Sequence, residues 1–158
     1  MSRAPENTDF WIPMAGLFQI AEEAFFEDFR EELERTEFGE IRPTHGCVFR
    51  FVRDEGMRLT TLASMAGMTK QSVGEIVDDL VERGYVKRIP DPEDRRAKLI
   101  CLTERGERAK ATGLSLFAKV EEQWKARYGA KRIEQLRKLL EEIAANEAPA
   151  AAPELAHA

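Results

Sequence analysis

The stretch that most limits what this chain can fold into covers residues 58–84, RLTTLASMAGMTKQSVGEIVDDLVERG. Its apolar residues fall into two short sets with a glycine between them. Leu62, Ala63 and Ala66 form the face of a first helix that Thr60 is expected to cap, Gly67 stops that helix, and Thr69 opens a second. In the second helix Val73, Ile76, Val77, Leu80 and Val81 follow at i, i+3, i+4, i+7 and i+8, the spacing of a buried stripe. All five are expected to face the core, which turns Lys70, Gln71, Gly74, Glu75 and Asp78 outward. Two helices joined this tightly form a helix-turn-helix, although short amphipathic helices joined by glycine also occur in many other helical proteins.

After Gly84 the periodicity changes. YVKRI (85–89) and AKLICL (97–102) are rich in β-branched and large apolar residues, and the segment between them carries Pro90, Pro92 and the pair Arg95-Arg96. This reads as a β-hairpin with an arginine-bearing tip, and a helix-turn-helix followed by a basic hairpin is the order of a winged helix-turn-helix. On the N-terminal side, Met14, Leu17, Phe18, Ala21, Phe25, Phe29 and Leu33 recur at steps of three and four, so a long helix is expected within 9–36. Pro43 suits the first position of another helix, which carries Cys47, Val48, Phe51 and Val52 and stops at Asp54-Glu55-Gly56. Thr103 is expected to cap a long helix with Leu114, Phe117, Val120, Trp124 and Tyr128 on one side, and a last helix follows Gly129. The expected fold is therefore mostly α with a small β-hairpin. A winged helix-turn-helix (37–103) is inserted between terminal helices (9–36 and 104–146), with loose ends at 1–8 and 147–158.

Composition narrows the chemistry. With 158 residues, the chain suits one domain with a real core, and no apolar run is long enough to span a membrane or resembles a signal peptide, so a cytoplasmic protein is expected. Cys47 and Cys101 lack metal-ligand or disulfide spacing and read as structural thiols. The net charge of −5 argues against indiscriminate coating of nucleic acid. Yet residues 53–110 hold 12 Lys or Arg against 11 Asp or Glu, while the rest of the chain holds 12 against 18, so the middle is locally basic.

A helix entering the major groove meets base edges with its N-terminal residues, here Thr69, Lys70, Gln71 and Ser72. Gln71 has the geometry to pair with adenine and Lys70 with guanine, whereas Thr69 and Ser72 suit phosphates or bases. Arginine at a hairpin tip suits a narrow minor groove, which singles out Arg95 and Arg96, with Arg88 and Lys98 on the strands as phosphate contacts. Glu75 and Asp78 count against this, because a carboxylate near phosphate is unfavourable, and the rival reading is a helical protein-interaction module that does not bind DNA. Enzymatic motifs are absent, no cofactor is expected, and His45 alone hints at a catalytic or ligand pocket. Asp91 and Glu93 are expected to keep the tip from trapping anions in general.

Over residues 10–146 the chain resembles the MarR family of transcription regulators. The resemblance rests on the helix-turn-helix above and on Asp94-Arg95-Arg96, then Lys98 to Cys101, then Leu102-Thr103-Glu104-Arg105-Gly106, which fit the family's Asp-x-Arg, strand and Leu-Thr-x-x-Gly string. It implies a homodimer joined through the terminal helices, binding a palindromic operator in double-stranded DNA, with repression as the usual outcome. It places Thr69 to Ser72 in the major groove, Arg96 in the minor groove, and Asp94 in bracing the wing. It also implies a small aromatic or phenolic effector, for which Phe18, His45, Phe49 and Phe117 are candidate lining residues.

Overall fold

The computed structural model describes residues 12–147, which fall into two compact units, one ending at Gly39 and one beginning at Glu40. The loose ends expected at 1–8 and over nearly all of 147–158, and the start of the first expected helix, lie outside the described residues. The first unit is built on α1 (Met14–Glu34). Thr36 closes this helix: its Oγ1 donates to the Leu33 carbonyl (2.7 Å) and accepts from the Phe38 N–H (3.1 Å). Leu33 is buried, but Met14, Leu17, Phe18, Ile20 and Phe26 lie exposed in the single chain.

The second unit opens with a 3₁₀ turn (Pro43–His45) that runs into α2 (Gly46–Phe51), followed by β1 (Met57–Arg58), α3 (Leu59–Ala66) and α4 (Lys70–Glu82). The hairpin strands are β2 (Val86–Pro90) and β3 (Lys98–Leu102), and α5 (Glu104–Tyr128) and α6 (Ala130–Glu147) complete it. The expected hairpin is part of a three-stranded antiparallel sheet in the order β1-β3-β2. Met57 and Arg58 pair with Ile100 and Leu99, while Val86 to Pro90 pair with Leu102 to Lys98. Pro90 ends an edge strand, where its missing N–H removes no interior ladder bond.

Local chemistry sets the turn between the helices. Gly67 takes φ 62, a left-handed conformation that an L side chain resists, and so ends α3. Thr69 caps α4 by accepting the Ser72 N–H at 3.1 Å. Two expectations fail here. Thr60 is not a cap: α3 starts two residues earlier than that would require, at Leu59 with Arg58 in the cap position, because β1 leads the chain directly into the helix. Val81 is 37% exposed rather than buried, since Val73, Val77 and Leu80, each 0% exposed, already fill the contact face of α4.

The core of this unit combines those residues with Val48, Val52, Leu62, Tyr85, Val86, Ile100 and Val120, all 2% exposed or less. The Leu102–Gly106 string has a visible purpose at its edge. Thr103 Oγ1 donates to the Gly84 carbonyl (2.6 Å) and accepts the Gly106 N–H (3.1 Å), tying the turn after α4 to the first turn of α5. Gly106 lies directly against the Tyr85 carbonyl, where any β-carbon would overlap it. No helix among the described residues is long and apolar enough to cross a membrane.

Candidate nucleic-acid interface

The start of α4 and the wing border a groove of about 370 Å³ lined by Arg58, Lys70, Arg88, Arg96 and Lys98, with Leu59, Thr60, Ala97 and Ile100 beside them. Five cations and no carboxylate line it, so its field favours a polyanion despite the negative total charge. Lys70, Arg96 and Lys98 are exposed, and their side chains have no ion pair among the described residues. Arg95 is exposed as well but does not line the groove.

The other two groove arginines are held. Arg88 Nη1 lies 2.7 Å from Oδ1 of Asp78 on α4. Arg58, which sequence reasoning did not single out, sits on β1 and donates from Nε and Nη2 to Asp91 Oδ2, each at 2.6 Å. On α4 itself, Gln71 Nε2 donates to Glu75 Oε1 at 3.3 Å, and the Thr69 and Ser72 hydroxyls lie 2.8 Å apart. The two carboxylates that argued against DNA are thus each engaged with a candidate contact residue.

The wing is held by two successive Asx-turns. Asp91 Oδ1 accepts the Glu93 N–H (2.8 Å) and Asp94 Oδ1 accepts the Arg96 N–H (3.0 Å). Backbone bonds from Asp91 to Ala97 and from Ala97 to Asp94 close the loop. Contrary to the expectation from sequence, Asp91 is not a surface carboxylate screening the tip, because it is only 5% exposed. The Glu93 N–H and the Arg58 guanidinium hold its carboxyl below the ordinary value of 3.8. The aspartates two residues before Glu93 and before Arg96 are the sequence signal for both turns.

The far end of α4 is built differently. His45 is 1% exposed, with Nδ1 accepting the Arg42 N–H (3.1 Å) and Nε2 lying 2.8 Å from Asp79 Oδ2. A backbone N–H can only donate, so Nδ1 is bare and the ring proton sits on Nε2, facing Asp79. Burial holds this imidazole below its ordinary value of 6.5, against the pull of the Asp79 carboxylate. Arg83 Nε donates to Asp79 Oδ1 (2.9 Å), and its Nη1 reaches Glu40 (3.3 Å). Glu40 also accepts from Tyr85 Oη (2.8 Å) and Arg105 Nη2 (3.0 Å). Burial first, then this bond to Glu40, pushes the Tyr85 phenol up to about 12. Arg105 completes the cluster, its guanidinium 4.4 Å from the Tyr85 ring centre and its Nη1 on the Arg83 carbonyl (2.7 Å).

Of the four residues suggested for an effector, His45 lines a second hollow, and no phenylalanine lines either that hollow or the groove. The hollow that His45 borders, about 220 Å³, is lined otherwise by Arg42, Thr44, Ser72, Glu75, Ile76 and Asp79, and includes no phenylalanine. Phe49 packs edge-on against Tyr85 at 6.0 Å. Phe117, on α5, is 36% exposed. Phe18 belongs to the first unit and is 51% exposed.

Comparison with known proteins agrees with this arrangement. Residues 41–97, covering α2 through the wing loop, match the MarR family. The HTH-type transcriptional regulator PetP of Rhodobacter capsulatus is 31% identical over 87 residues, a stretch covering 55% of this chain and 51% of PetP, so the match spans about half of that relative's length. The reduced form of MarR from E. coli superposes with a TM-score of 0.75 at 20% identity, covering 85% of this chain and 98% of that one. CouR from Rhodococcus jostii RHA1, solved with p-coumaroyl-CoA, superposes with a TM-score of 0.64 at 26% identity, covering 83% and 91%. MarR family members are transcriptional regulators, not enzymes. Residues 41–97, which carry the helix-turn-helix and the wing, thus match the MarR family, and the chain shares its winged helix-turn-helix fold with solved MarR structures over most of its length.

Proposed function

We propose that this chain is a sequence-specific, DNA-binding transcriptional regulator that acts in the cytoplasm as a homodimer on a palindromic operator, most simply as a repressor. The observation that carries the reading is the groove itself: five cations and no carboxylate, between the start of a well-capped helix and a stiffened wing. In this reading Thr69, Lys70, Gln71 and Ser72 enter the major groove, where a helix start meets base edges. Arg96, with Arg95 beside it, enters the minor groove, and Lys98 and Arg88 contact phosphates. Asp94 braces the wing through its bond to the Arg96 N–H. Because the Asx-turns fix the wing before DNA arrives, less ordering accompanies binding.

Homodimerisation through the regions 9–36 and 104–146 accounts for the large apolar side chains that α1 and α6 leave exposed in one chain, including Phe18, Leu136, Leu140 and Ile143. A small aromatic effector belongs to the proposal on the analogy of CouR and its p-coumaroyl-CoA. Of the four candidate residues, His45 has both ring nitrogens engaged and Phe49 packs on Tyr85. Such an effector would act by binding one subunit spacing better than another.

The test is to select duplexes from a random-sequence pool with the wild-type chain and measure affinity across salt. Binding should weaken steeply as salt rises, and Arg96→Ala should lose about 1–3 kcal/mol of affinity for the selected duplex. Failure to select any sequence would refute the proposal, and unchanged affinity in Arg96→Ala would remove the wing contact from it.

A further inference from the structure

The two held arginines of the groove are held differently. Arg58 is paired with Asp91, whose side chain is 5% exposed and part of the wing's fold. Arg88 is paired with Asp78, whose side chain is 68% exposed, while that of Arg88 is 29% exposed. Asp78 follows Lys70 and Gly74 at steps of four along α4, so it belongs to the row that faces the groove side. An exposed ion pair contributes little to folding. Its placement makes better sense through what it does to Arg88, a long side chain on β2 that would otherwise be free to swing.

We infer that Asp78 is a specificity-determining residue, which restricts phosphate contact by Arg88 to DNA on which α4 is fully seated. The inference rests on the DNA-binding reading above. An unheld arginine at a groove edge can reach a phosphate in almost any register, and contacts of that kind supply nonspecific affinity. Held at 2.7 Å by a carboxylate on α4, Arg88 keeps one position relative to that helix. A phosphate reaches it only when base contacts have set the depth and angle of α4. In looser docking the Asp78 charge repels the backbone, and the pair stays closed. Asp91 cannot act in this way because it is buried beneath the wing.

The experiment compares the duplex selected by the wild-type chain with a scrambled duplex of equal length and composition, over a range of salt. Asp78→Asn should tighten binding to the scrambled duplex about threefold to tenfold and steepen its salt slope by about 0.9, one added phosphate. The selected duplex should gain less, so the ratio of the two affinities falls. Adding Arg88→Ala to Asp78→Asn should abolish the gain. Glu82→Gln removes the same charge from an exposed position on the same helix that has no ion pair among the described residues, and it should not reproduce the effect. The inference is overturned if Asp78→Asn matches Glu82→Gln, if the affinity ratio is unchanged, or if the gain survives loss of Arg88. Where Arg96→Ala still weakens binding, any of these results removes the inference alone. If the wild-type chain selects no sequence, the DNA-binding reading falls and takes the inference with it.

Discussion

The two ends of α4 are built on opposite plans. At its start, Thr69 to Gln71 are exposed, Lys70 has no ion pair among the described residues, and the local bonds are those of the cap and of Gln71 with Glu75. At its end, Asp79 and Arg83 join a cluster that includes buried His45, Glu40, Tyr85 and Arg105. Between them Val73, Val77 and Leu80 are sealed from solvent. The difference shows how one helix can be both anchored and presented. Fixing its last turns leaves the first turn free to be spent on a partner, so substitutions at the two ends should separate folding from binding.

The largest expected effect lies in the sealed stretch that runs into the anchored end. Leu80→Ala, at a side chain with 0% exposure, should destabilise the fold by about 2–5 kcal/mol in denaturant titration, with selected-duplex affinity little changed under conditions where the variant is folded. Thr69→Ala should destabilise by about 1 kcal/mol through loss of the cap. Lys70→Ala should leave stability within about 0.5 kcal/mol and reduce the salt slope of DNA binding by about 1. Equal loss of stability in Lys70→Ala and Leu80→Ala would erase the contrast between the presented first turn and the anchored remainder of α4.

The smallest effect is a slope with pH, set at the anchored end by His45. Its imidazole is faced by Asp79 on α4, by Arg83 at the C-cap of that helix and by Arg42 ahead of the 3₁₀ turn, and its folded-state pKa lies below the ordinary 6.5. Below about 6.5 the unfolded chain therefore takes up a proton that the folded chain refuses. Stability from this group is complete above that value and declines as pH falls, until the folded imidazole is protonated as well. His45→Gln, which keeps an acceptor and a donor, should flatten the slope in unfolding measured between pH 7 and 5.

Much of this architecture could be read from residues whose role is local. Gly67 and Thr69 mark the helix-turn-helix because a left-handed stop and a hydroxyl cap depend on the backbone beside them. Thr103 marks the start of α5 for the same reason. What escaped the sequence depends on distant partners. β1 has two residues, too few for any periodicity, and exists through pairing with β3 some forty residues later. Arg58 gains its place in the groove from that pairing, and the burial of Asp91 follows from Arg58. Val81 keeps the helical spacing of a core residue, but spacing carries no information about where a neighbouring element ends.

The short strand β1 also has a consequence for the order in which the fold can be completed. During synthesis, α3 and α4 emerge before residues 98–102, so both helices are present while the partner strand of Met57 and Arg58 is still missing. Arg58 then lacks both its strand partner and Asp91, and the groove has no outer wall. Closing this sheet joins segments far apart in sequence, a slow class of contact, so it should follow helix formation rather than accompany it. A chain truncated before Lys98 is thus expected to have helical content without the groove, which makes the last strand to be synthesised the one that completes the cationic surface.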